Sequence, residues 1–378
     1  MRNFVYIVFL LIIFSCQSDG NNSGVMVNSM QNFNKEIKYA KGFTIEQFEQ
    51  YKVITINNTW VGNNASFKYV LYKNEKPKGI EDAIFIKTPI ESIACMSLTH
   101  VAFIEKLGKE NSIIALSGCN YVSSIKIINR ISNGLIFEIG SEQSINYELL
   151  VEKDPSLLMG FGIDASSNTR INKMTSLGID VVLNAEYMET HPLGKAEWIK
   201  FIAAFYELDE EASLIFNKIE SDYLKLLALT QKVKNKPTVF TGMPWSGSWY
   251  VPGAKSFQVQ LFNDAGAQYL WMNNNEKASL VKSKEIIINE AYNADFWLNQ
   301  NSYTTTSSIL KYDEKFKGFK SVKDNQLYNN DKRLNATSGN DYWESGVINP
   351  QVVLKDLIKI FHPELLVEHE LCYYRKLE

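Results

Sequence analysis

Four aromatic side chains in the second half of the chain stand in segments that the sequence predicts to be loops. Trp245, Trp249 and Tyr250 lie among glycine and serine residues, and Tyr303 follows a run rich in asparagine and glutamine. Core aromatic residues ordinarily occupy strands and helices, whereas in loops their rings offer flat apolar faces with polar tips. We therefore expect these four side chains to bind a large, partly flat ligand. Packing of Trp249 against the turn at Pro252–Gly253 explains that residue equally well.

The first half of the chain carries polar groups in the corresponding loops. Thr99 and His100 follow a short apolar strand, and Tyr121 stands in a segment that begins at Gly118. We expect all three to reach the ligand. No second histidine has metal-ligand spacing to His100, so we expect this side chain to hydrogen-bond at a helix start and we expect no metal site. The remaining histidines are His191, His362 and His369.

Four features leave their alternatives open in the sequence. Tyr342 and Trp343 stand in a polar loop, where they either line the site or cap a lobe. Arg333 is a candidate cation for an anionic chelate, although an ordinary surface position explains it better. Cys119 has no assigned role, and residues 362–378 form a polar and aromatic tail of unassigned position.

The composition and motifs exclude several classes of protein. The sequence contains no G-x-S-x-G, no H-E-x-x-H, no P-loop and no CxxC pair. The candidate loops carry aromatic, amide and hydroxyl groups instead of convergent acids and bases, so we predict a binding protein and not an enzyme with a resident cofactor. The formal net charge is -3 and no polybasic run occurs, so nucleic acid is not an expected partner. Cys95 and Cys372 are expected to be small buried residues and not disulfide partners.

The amino terminus has the layout of a secretory signal peptide with a lipid-attachment site. An arginine precedes the apolar run Phe4–Phe14, which is shorter than the roughly 20 residues that a membrane-spanning helix needs. The sequence Ile-Phe-Ser-Cys that ends at Cys16 resembles a bacterial lipobox. We therefore expect a signal peptide at 1–15, an acylated Cys16, and an anchor with a flexible tether at 16–40. An ordinary secretory signal with a chance cysteine is the alternative.

Short apolar strands alternate with helices from about residue 84, after two lead-in strands that we predict to pair as a hairpin. This alternation favours parallel sheets covered by helices on both faces. In Asp209–Val233 the apolar residues instead recur at helical spacing, which predicts a rod of about 36 Å. The expected fold is α/β, with two Rossmann-like lobes with parallel sheets joined by one long α-helix. The predicted divisions are 41–208 for the N-terminal lobe with its lead-in strands, 209–233 for the joining helix, and 234–378 for the C-terminal lobe and tail.

Four segments, taken in order, match a known family. They are the strand, turn and helix over 93–115, the helix Asn146–Pro155, the glycine segment Trp249–Gly253 with Asp264–Gly266, and the helix around Glu285 with Ala294–Asp295. Together they resemble the helical-backbone (class III) solute-binding proteins of iron–siderophore and cobalamin importers, from about residue 84 to the end. Ser156 departs from the pattern, because the family usually has Asp there.

The resemblance implies a cleft between two lobes that hinge little, and one Glu on each lobe that docks on a basic pocket of a membrane permease. Matched by motif, these are Glu148 and Glu285, for which ordinary solvated helix carboxylates are the alternative. The implied partners are ABC permease and ATPase subunits and a ferric siderophore-type chelate, bound by a monomer anchored in the cell envelope and facing the periplasm or the outside. Cobalamin or haem as the ligand, and a permease-independent surface lipoprotein, remain open alternatives.

Overall fold

The computed structural model describes residues 33–34, 36–57, 59–60, 66–141, 143–162 and 166–378. The predicted signal peptide at 1–15, the acylated Cys16 and most of the 16–40 tether lie outside these residues. Within the described ranges, no helix combines the length and the apolar character that crossing a bilayer requires.

A lead-in sheet precedes the two lobes. Its strands are β1 (Phe33–Asn34), β2 (Phe43–Gln47), β3 (Tyr51–Asn57), β4 (Ser66–Tyr72) and β5 (Ile84–Lys87). β3 and β4 are antiparallel neighbours with Tyr51 opposite Tyr72, which confirms the predicted hairpin pairing. β5 then joins β4 in parallel, so the chain leaves this sheet in the direction that the following lobe requires.

The N-terminal lobe is built on a five-stranded sheet. Its strands are β6 (Ile93–Cys95), β7 (Ile113–Leu116), β8 (Phe137–Glu138), β9 (Leu157–Gly160) and β10 (Val181–Leu183). They lie in the order β10-β9-β6-β7-β8, and every neighbouring pair is parallel. All residues of β6, β9 and β10 are buried, because helices cover both faces of a parallel sheet. This confirms the predicted sheet type.

The C-terminal lobe has a second five-stranded sheet and a separate two-stranded ribbon. Its strands are β11 (Thr238–Thr241), β12 (Ser248–Val251), β13 (Gln268–Tyr269), β14 (Leu280–Ser283), β15 (Phe296–Leu298), β16 (Leu327–Asn329) and β17 (Arg375–Lys376). The sheet order is β13-β11-β15-β16-β17, parallel except for the last pair, while β12 and β14 form the antiparallel ribbon. The α/β fold class with two lobes is therefore confirmed.

The helices of the described chain connect these strands. They are α1 (Leu98–Lys106), α2 (Ile125–Ser132), α3 (Tyr147–Lys153), α4 (Ser166–Ser176), α5 (Pro192–Tyr206), α6 (Asp209–Thr230), α7 (Phe257–Asp264), α8 (Lys284–Glu290), α9 (Thr306–Tyr312), α10 (Lys320–Lys323), α11 (Asp341–Glu344) and α12 (Pro350–Phe361). Short 3-10 helices lie at Glu110–Ser112, Cys119–Tyr121, Glu186–Met188, Glu314–Gly318, Ser345–Val347 and Pro363–Leu366. Side-chain N-caps begin several of the α-helices, among them Ser97 for α1 and Asn146 for α3.

Two consecutive helices carry the chain from the first lobe to the second. α6 is the predicted long helix, ends at Thr230 instead of Val233, and buries one stripe that includes Phe216 and Tyr223. α5 precedes it and contacts α1, α6 and α7. The sequence does not predict α5, because its residues are buried on nearly every side and therefore show no amphipathic period.

Two buried carboxylates on and before α5 fix the segment that leads into β2. Glu197 accepts hydrogen bonds from the backbone amides of residues 38–40 at 2.7–3.0 Å. Glu189 accepts from the amides of residues 41–42 and from the indole nitrogen of Trp198 at 2.8–3.1 Å. Hydrogen bonds to an ionised acceptor are about twice as strong as neutral ones. Residues 38–42, which include the last three residues of the predicted 16–40 tether, are therefore held against α5.

The tail at 362–378, unassigned in the sequence, folds back onto the C-terminal lobe. Asp356 on α12 is fully buried and accepts hydrogen bonds from the imidazole of His369 and from the backbone amides of residues 372–374, at 2.7–3.1 Å. These bonds direct β17 along β16, where it pairs antiparallel. The tail thus completes the edge of the second sheet.

Candidate functional site

Loops beyond the carboxyl ends of the strands enclose two cavities, as expected for open parallel sheets. The interlobe cavity has a volume of about 240 Å³ and receives residues from both lobes. The C-lobe cavity has a volume of about 620 Å³. Trp343 lines both cavities, so they adjoin at its ring and form one candidate site.

The interlobe cavity is mostly apolar. α1 contributes Thr99 at its first turn, and α7 contributes Phe257 and Leu261. Its charged groups are the nearly buried Glu186 and Lys195, whose carboxylate and ammonium lie 2.7 Å apart. Because these charges are paired, the described lining of this cavity presents no net charge to a ligand.

The C-lobe cavity follows the ends of three strands. Thr241 ends β11, Asn299 follows β15, and Asn330 and Asp331 follow β16. Aromatic side chains line the same cavity, and their exposed fractions are large: 70% for Trp245, 47% for Tyr250 and 55% for Trp343. The site therefore combines polar side chains at the strand ends with exposed rings, which suits a ligand with flat apolar parts and a polar rim.

Three of the seven predicted ligand-binding residues line these cavities. Thr99 lines the interlobe cavity, and Trp245 and Tyr250 line the C-lobe cavity. The fold brings them together although they come from different lobes. Ligand binding by these three residues remains a prediction.

Trp249 is a core residue, so the prediction that it lines the site is wrong. Its side chain is fully buried in β12, its indole nitrogen donates to the carbonyl of Thr241 at 2.9 Å, and its ring lies 5.8 Å from that of Trp297. Successive side chains of a strand point to opposite faces, so Trp249 faces the core while Tyr250 faces the cavity. The alternative, that Trp249 packs into the protein, is therefore correct, although the partners of Trp249 are strands and aromatic rings.

His100, which the sequence predicts to reach the ligand, is buried within α1 and lines neither cavity. Burial lowers the pKa of its imidazole to about 4, so the ring is neutral near pH 7. The helix start is capped by Ser97 instead, whose hydroxyl accepts from the amide of Thr99.

Tyr121 and Tyr303 lie near the site but do not line the two cavities. Tyr121 is exposed in the 3-10 turn of the first lobe. The ring of Tyr303 packs edge-on against Tyr312 at 5.7 Å, and its neighbours Ser302 and Thr304 face the C-lobe cavity in its place. The amide-rich loop was thus correctly located, but the side chain assigned to the ligand was not.

Trp343 is the site residue that the sequence leaves undecided. It stands on the short helix α11 with Asn340 as its N-cap, and its neighbour Tyr342 is buried beneath it, with the two rings 4.7 Å apart. The signal in the sequence is an aromatic pair in a polar loop. The structure leaves one member of this pair, Trp343, exposed. Which of the two is exposed depends on the packing of Tyr342 against Tyr373 and Tyr374 in the tail.

Residues 335–344 form a second link between the lobes, which we call the interlobe strap. The amide of Asn335 donates to the carbonyls of Asn120 and Val122 at 2.9 and 2.8 Å. A Cβ atom at Gly339 would overlap the carbonyl oxygen of Tyr121, so only glycine permits this approach. The lobes are therefore held on two sides, by α5 with α6 and by the strap.

Glu344 ends the strap with a buried carboxylate. It accepts hydrogen bonds from the backbone amides of Ser123 and Ser124 at the start of α2, at 2.6 and 3.2 Å. Burial, with the nearby Asp341 and Glu105 carboxylates, raises its pKa from 4.5 to about 7 despite these bonds. The carboxylate of Glu344 therefore titrates near neutral pH.

This raised pKa predicts a pH-dependent stability. Because the folded pKa of Glu344 lies above the unfolded one, the stability it contributes is complete below pH 4.5 and is lost as the pH rises through about 7. Between about pH 5 and about pH 8, we expect Glu344→Gln to gain up to about 3 kcal/mol of unfolding free energy relative to wild type. Urea unfolding of both proteins at both pH values measures this difference.

His100 titrates in the opposite sense but does not disturb the comparison. Its lowered pKa gives stability that is present above its ordinary value of 6.5 and is lost as the pH falls towards about 4. Both proteins keep His100, so its contribution cancels in the difference. A difference between the variants that is the same at both pH values contradicts the prediction.

Glu148 and Glu285 occupy equivalent positions in the two lobes. Each is an exposed residue in the first turn of a seven-residue helix, α3 or α8. α3 leads into β9 and α8 leads into β15, and each of these strands pairs with the first strand of its own lobe. The sequence motif thus selected two positions that the topology makes equivalent, but their docking role remains a prediction.

The described cysteines and acids form no group of three or more that could hold a metal ion. Cys95 is buried, while Cys119 and Cys372 are partly buried, and all three are free thiols. Burial, with the nearby Glu138, raises the pKa of Cys119 to about 12, so this thiol is protonated near neutral pH. Arg333 lines neither cavity, and its guanidinium pairs with Asp341 at 2.8 Å.

Comparison with known proteins gives consistent matches. The family model described as periplasmic binding protein matches residues 93–334. An uncharacterized lipoprotein of Methanocaldococcus jannaschii is 28% identical over 374 residues, covering 91% of this chain and 87% of the relative.

Two solved structures are similar to this chain. A possible iron-binding (periplasmic solute-binding) protein of Staphylococcus epidermidis has a TM-score of 0.56 and 16% identity, covering 73% of this chain and 100% of its own. A periplasmic haem-binding protein of Pseudomonas aeruginosa has a TM-score of 0.55 and 14% identity, covering 72% of this chain and 93% of its own. At these identities the structural matches show the shared fold.

Proposed function

The chain belongs to the periplasmic binding protein family, and from this premise we propose that it is the substrate-binding lipoprotein of an ABC importer. It captures a ferric siderophore-type chelate between its lobes and delivers the chelate to the permease. The observation that carries the proposal is the pair of cavities that adjoin at Trp343, one between the lobes and one in the second lobe. A combined site of this size accommodates a ligand larger than a bare ion.

The chemistry of the lining supports binding of a chelate instead of catalysis. The exposed rings of Trp245, Tyr250 and Trp343 offer stacking surface, and the loops after β15 and β16 offer amides. The acid and base in the interlobe cavity, Glu186 and Lys195, neutralise each other in a nearly buried ion pair. An iron chelate enters here as the transported cargo, bound through its organic shell.

The location of the protein follows from its amino terminus. We propose that Cys16 is acylated and anchors the chain to a membrane of the cell envelope, with the binding domain outside the cytoplasm. The similarity to a relative named as a lipoprotein supports this proposal.

Delivery requires contact with the importer, and the two equivalent glutamates are suited to it. Glu148 and Glu285 are exposed, and the backbone amide of Glu285 itself lowers the pKa of that carboxyl, which favours its charged form. Negative charges at matching positions of both lobes can orient the protein on paired basic pockets of a permease. The interlobe strap and the α5–α6 connection restrict hinging, so we expect only modest closure on ligand binding.

Calorimetric titration of the detergent-solubilised full chain tests the proposal. The probes are ferric tris-hydroxamate, ferric tris-catecholate, ferric citrate, cobalamin and haem. We expect a dissociation constant of about 1 μM or tighter for at least one iron chelate. Failure of every probe with a folded sample refutes the proposed function, and binding of only cobalamin or haem replaces the chelate with that ligand.

Removing the shared ring of the site is expected to weaken binding. Trp343→Ala should raise the dissociation constant of the bound probe by about 10- to 100-fold, because this side chain contacts both cavities. Tyr292→Ala is the matched control, since its ring is also exposed but lies beside Lys323, away from both cavities. Equal affinities of the two variants would show that the ligand does not contact Trp343.

A further inference from the structure

Buried polar groups in the C-lobe cavity, among them those of Asn330 and Asp331, have atoms with no hydrogen-bond partner in the part of the chain that the structure describes. Asn330 and Asp331 follow β16, are 5% and 7% exposed, and line the cavity. Among the described residues, the amide nitrogen of Asn330 donates no hydrogen bond and the Oδ1 oxygen of Asp331 accepts none. Leaving such groups dehydrated and unpaired is costly, so they are suited to meet a ligand.

Asp331 is held in place through its other oxygen. The guanidinium of Arg375 on β17 donates to Oδ2 at 2.7 Å and to the carbonyl of Thr304 at 3.2 Å. Both guanidinium nitrogens that make these bonds are therefore engaged, and Arg375 does not line the cavity. The Oδ1 oxygen remains a fixed, negatively polarised acceptor for a donor on the ligand.

The charged side chains around the whole site also disfavour a ligand with negative charge. Asp331 is the charged residue among the described residues that line the C-lobe cavity, with no Lys or Arg among them. It is paired with Arg375, but Arg375 lies outside this lining, so the member of the pair that faces the cavity is the carboxylate. Lys195 in the interlobe cavity is paired with Glu186, and Arg333 is paired with Asp341. A ligand with negative charge would meet a carboxylate and no uncommitted cation in this described lining, in a partly dehydrated site.

From these contacts we propose that the site selects a neutral or cationic chelate, and that Asp331 is the residue that determines this selection. The inference rests on the proposed function, because it specifies the class of chelate in the same site. The ligand presents an N–H group to Oδ1 of Asp331 and an oxygen acceptor to the amide of Asn330. A ferric tris-hydroxamate has this chemistry, since three hydroxamates neutralise the ferric ion through their oxygens, and the amides of the linkers, which carry N–H and C=O groups, lie outside the metal shell. A tris-catecholate, which carries three negative charges with the same ion, is excluded.

One ligand scaffold with three charges tests the selection. The probes are a linear ferric tris-hydroxamate whose terminal amine is free, acetylated or succinylated, with net charges of about +1, 0 and -1. Quenching of tryptophan fluorescence in the full-length wild-type protein measures the three affinities. We expect affinity to fall in that order, by about tenfold for each unit of charge. An anionic member that binds as tightly as the cationic one, or more tightly, overturns the inference.

The variant Asp331→Asn tests whether Asp331 is the residue that causes the charge selection. This variant keeps the side-chain shape, and we expect the affinities of the three probes to converge to within about threefold. Asp222→Asn is the control, because it removes the same charge from α6, away from both cavities, and should leave the wild-type order unchanged. An unchanged order in a folded Asp331→Asn protein contradicts the role of Asp331. If the variant does not fold, the wild-type series still decides the selection.

The remaining outcomes separate this inference from the proposed function. If none of the three tris-hydroxamates binds, the wild-type protein is titrated with cobalamin, haem and a ferric tris-catecholate. Binding of the neutral corrinoid alone supports selection against anions. Binding of an anionic probe alone overturns the selection against anions but leaves the proposed role in ligand delivery in place. Binding of no probe refutes the proposed function itself.

Discussion

Replacing Glu148 and Glu285 together by alanine is expected to lower ligand delivery to the importer by at least about tenfold, without changing ligand affinity. The two carboxylates lie on equivalent helices outside both cavities. Their loss removes charge that orients the loaded protein on the permease but leaves the binding site intact. Exposed interface charges act mainly through encounter rate and orientation, so each single variant should show a smaller loss.

Uptake of a labelled chelate, in cells or in proteoliposomes that hold the importer, measures this effect. The control is Glu152→Ala with Glu314→Ala, since both side chains are strongly exposed, at 66% and 84%, and the net charge changes equally. Full delivery by the first double variant refutes docking through these residues and favours a permease-independent role. Equal losses in both double variants would assign the effect to net charge alone.

Trp249→Ala is expected to lower the free energy of unfolding by about 3–5 kcal/mol. The substitution removes a fully buried indole that packs against Trp297 and Phe316, and it leaves the carbonyl of Thr241 without its donor. Four residues earlier, Trp245→Ala removes a ring that is 70% exposed and should change stability by less than about 0.5 kcal/mol.

Urea unfolding of both tryptophan variants measures the difference in stability. Ligand titration of the same variants measures the difference in chelate affinity. Trp245→Ala should weaken chelate binding while the protein remains stable, because its ring lines the C-lobe cavity. Similar losses of stability in the two variants would contradict the assignment of Trp249 to the core. The pair thus distinguishes residues that hold the lobe together from those that the ligand contacts.

Local patterns in the sequence predicted several of the strands and helices. The apolar segments at β6, β7, β9 and β11 are short and continuous because both faces of these strands are covered. Ser97 and Asn146 cap α1 and α3 through local contacts, because a cap acts within three residues. The amphipathic period of α6 was visible because one stripe is buried and the remainder is exposed.

Elements with two buried sides or distant partners could not be predicted in this way. α5 has no polar face, so it shows no helical period in the sequence. β17 follows the segment 372–374, whose amides bind Asp356, and pairs with β16, while β12 pairs with β14. These contacts join segments that are distant in the chain, and no local pattern records them.

The sequence by itself predicted the α/β class, the two lobes and the loops that line the candidate site, and its resemblance to a known family pointed to the equivalent positions of Glu148 and Glu285. Only the tertiary structure decided which side chains in those loops face the cavities. Trp249 and Tyr250 are adjacent, yet one is buried and the other exposed, because β12 turns alternate residues to opposite faces. Trp343 and Asp331 acquire their positions from the strap, the tail and Arg375, all of which are tertiary contacts. Residue type and local spacing therefore fix where a site can form, while long-range packing fixes which groups reach the ligand.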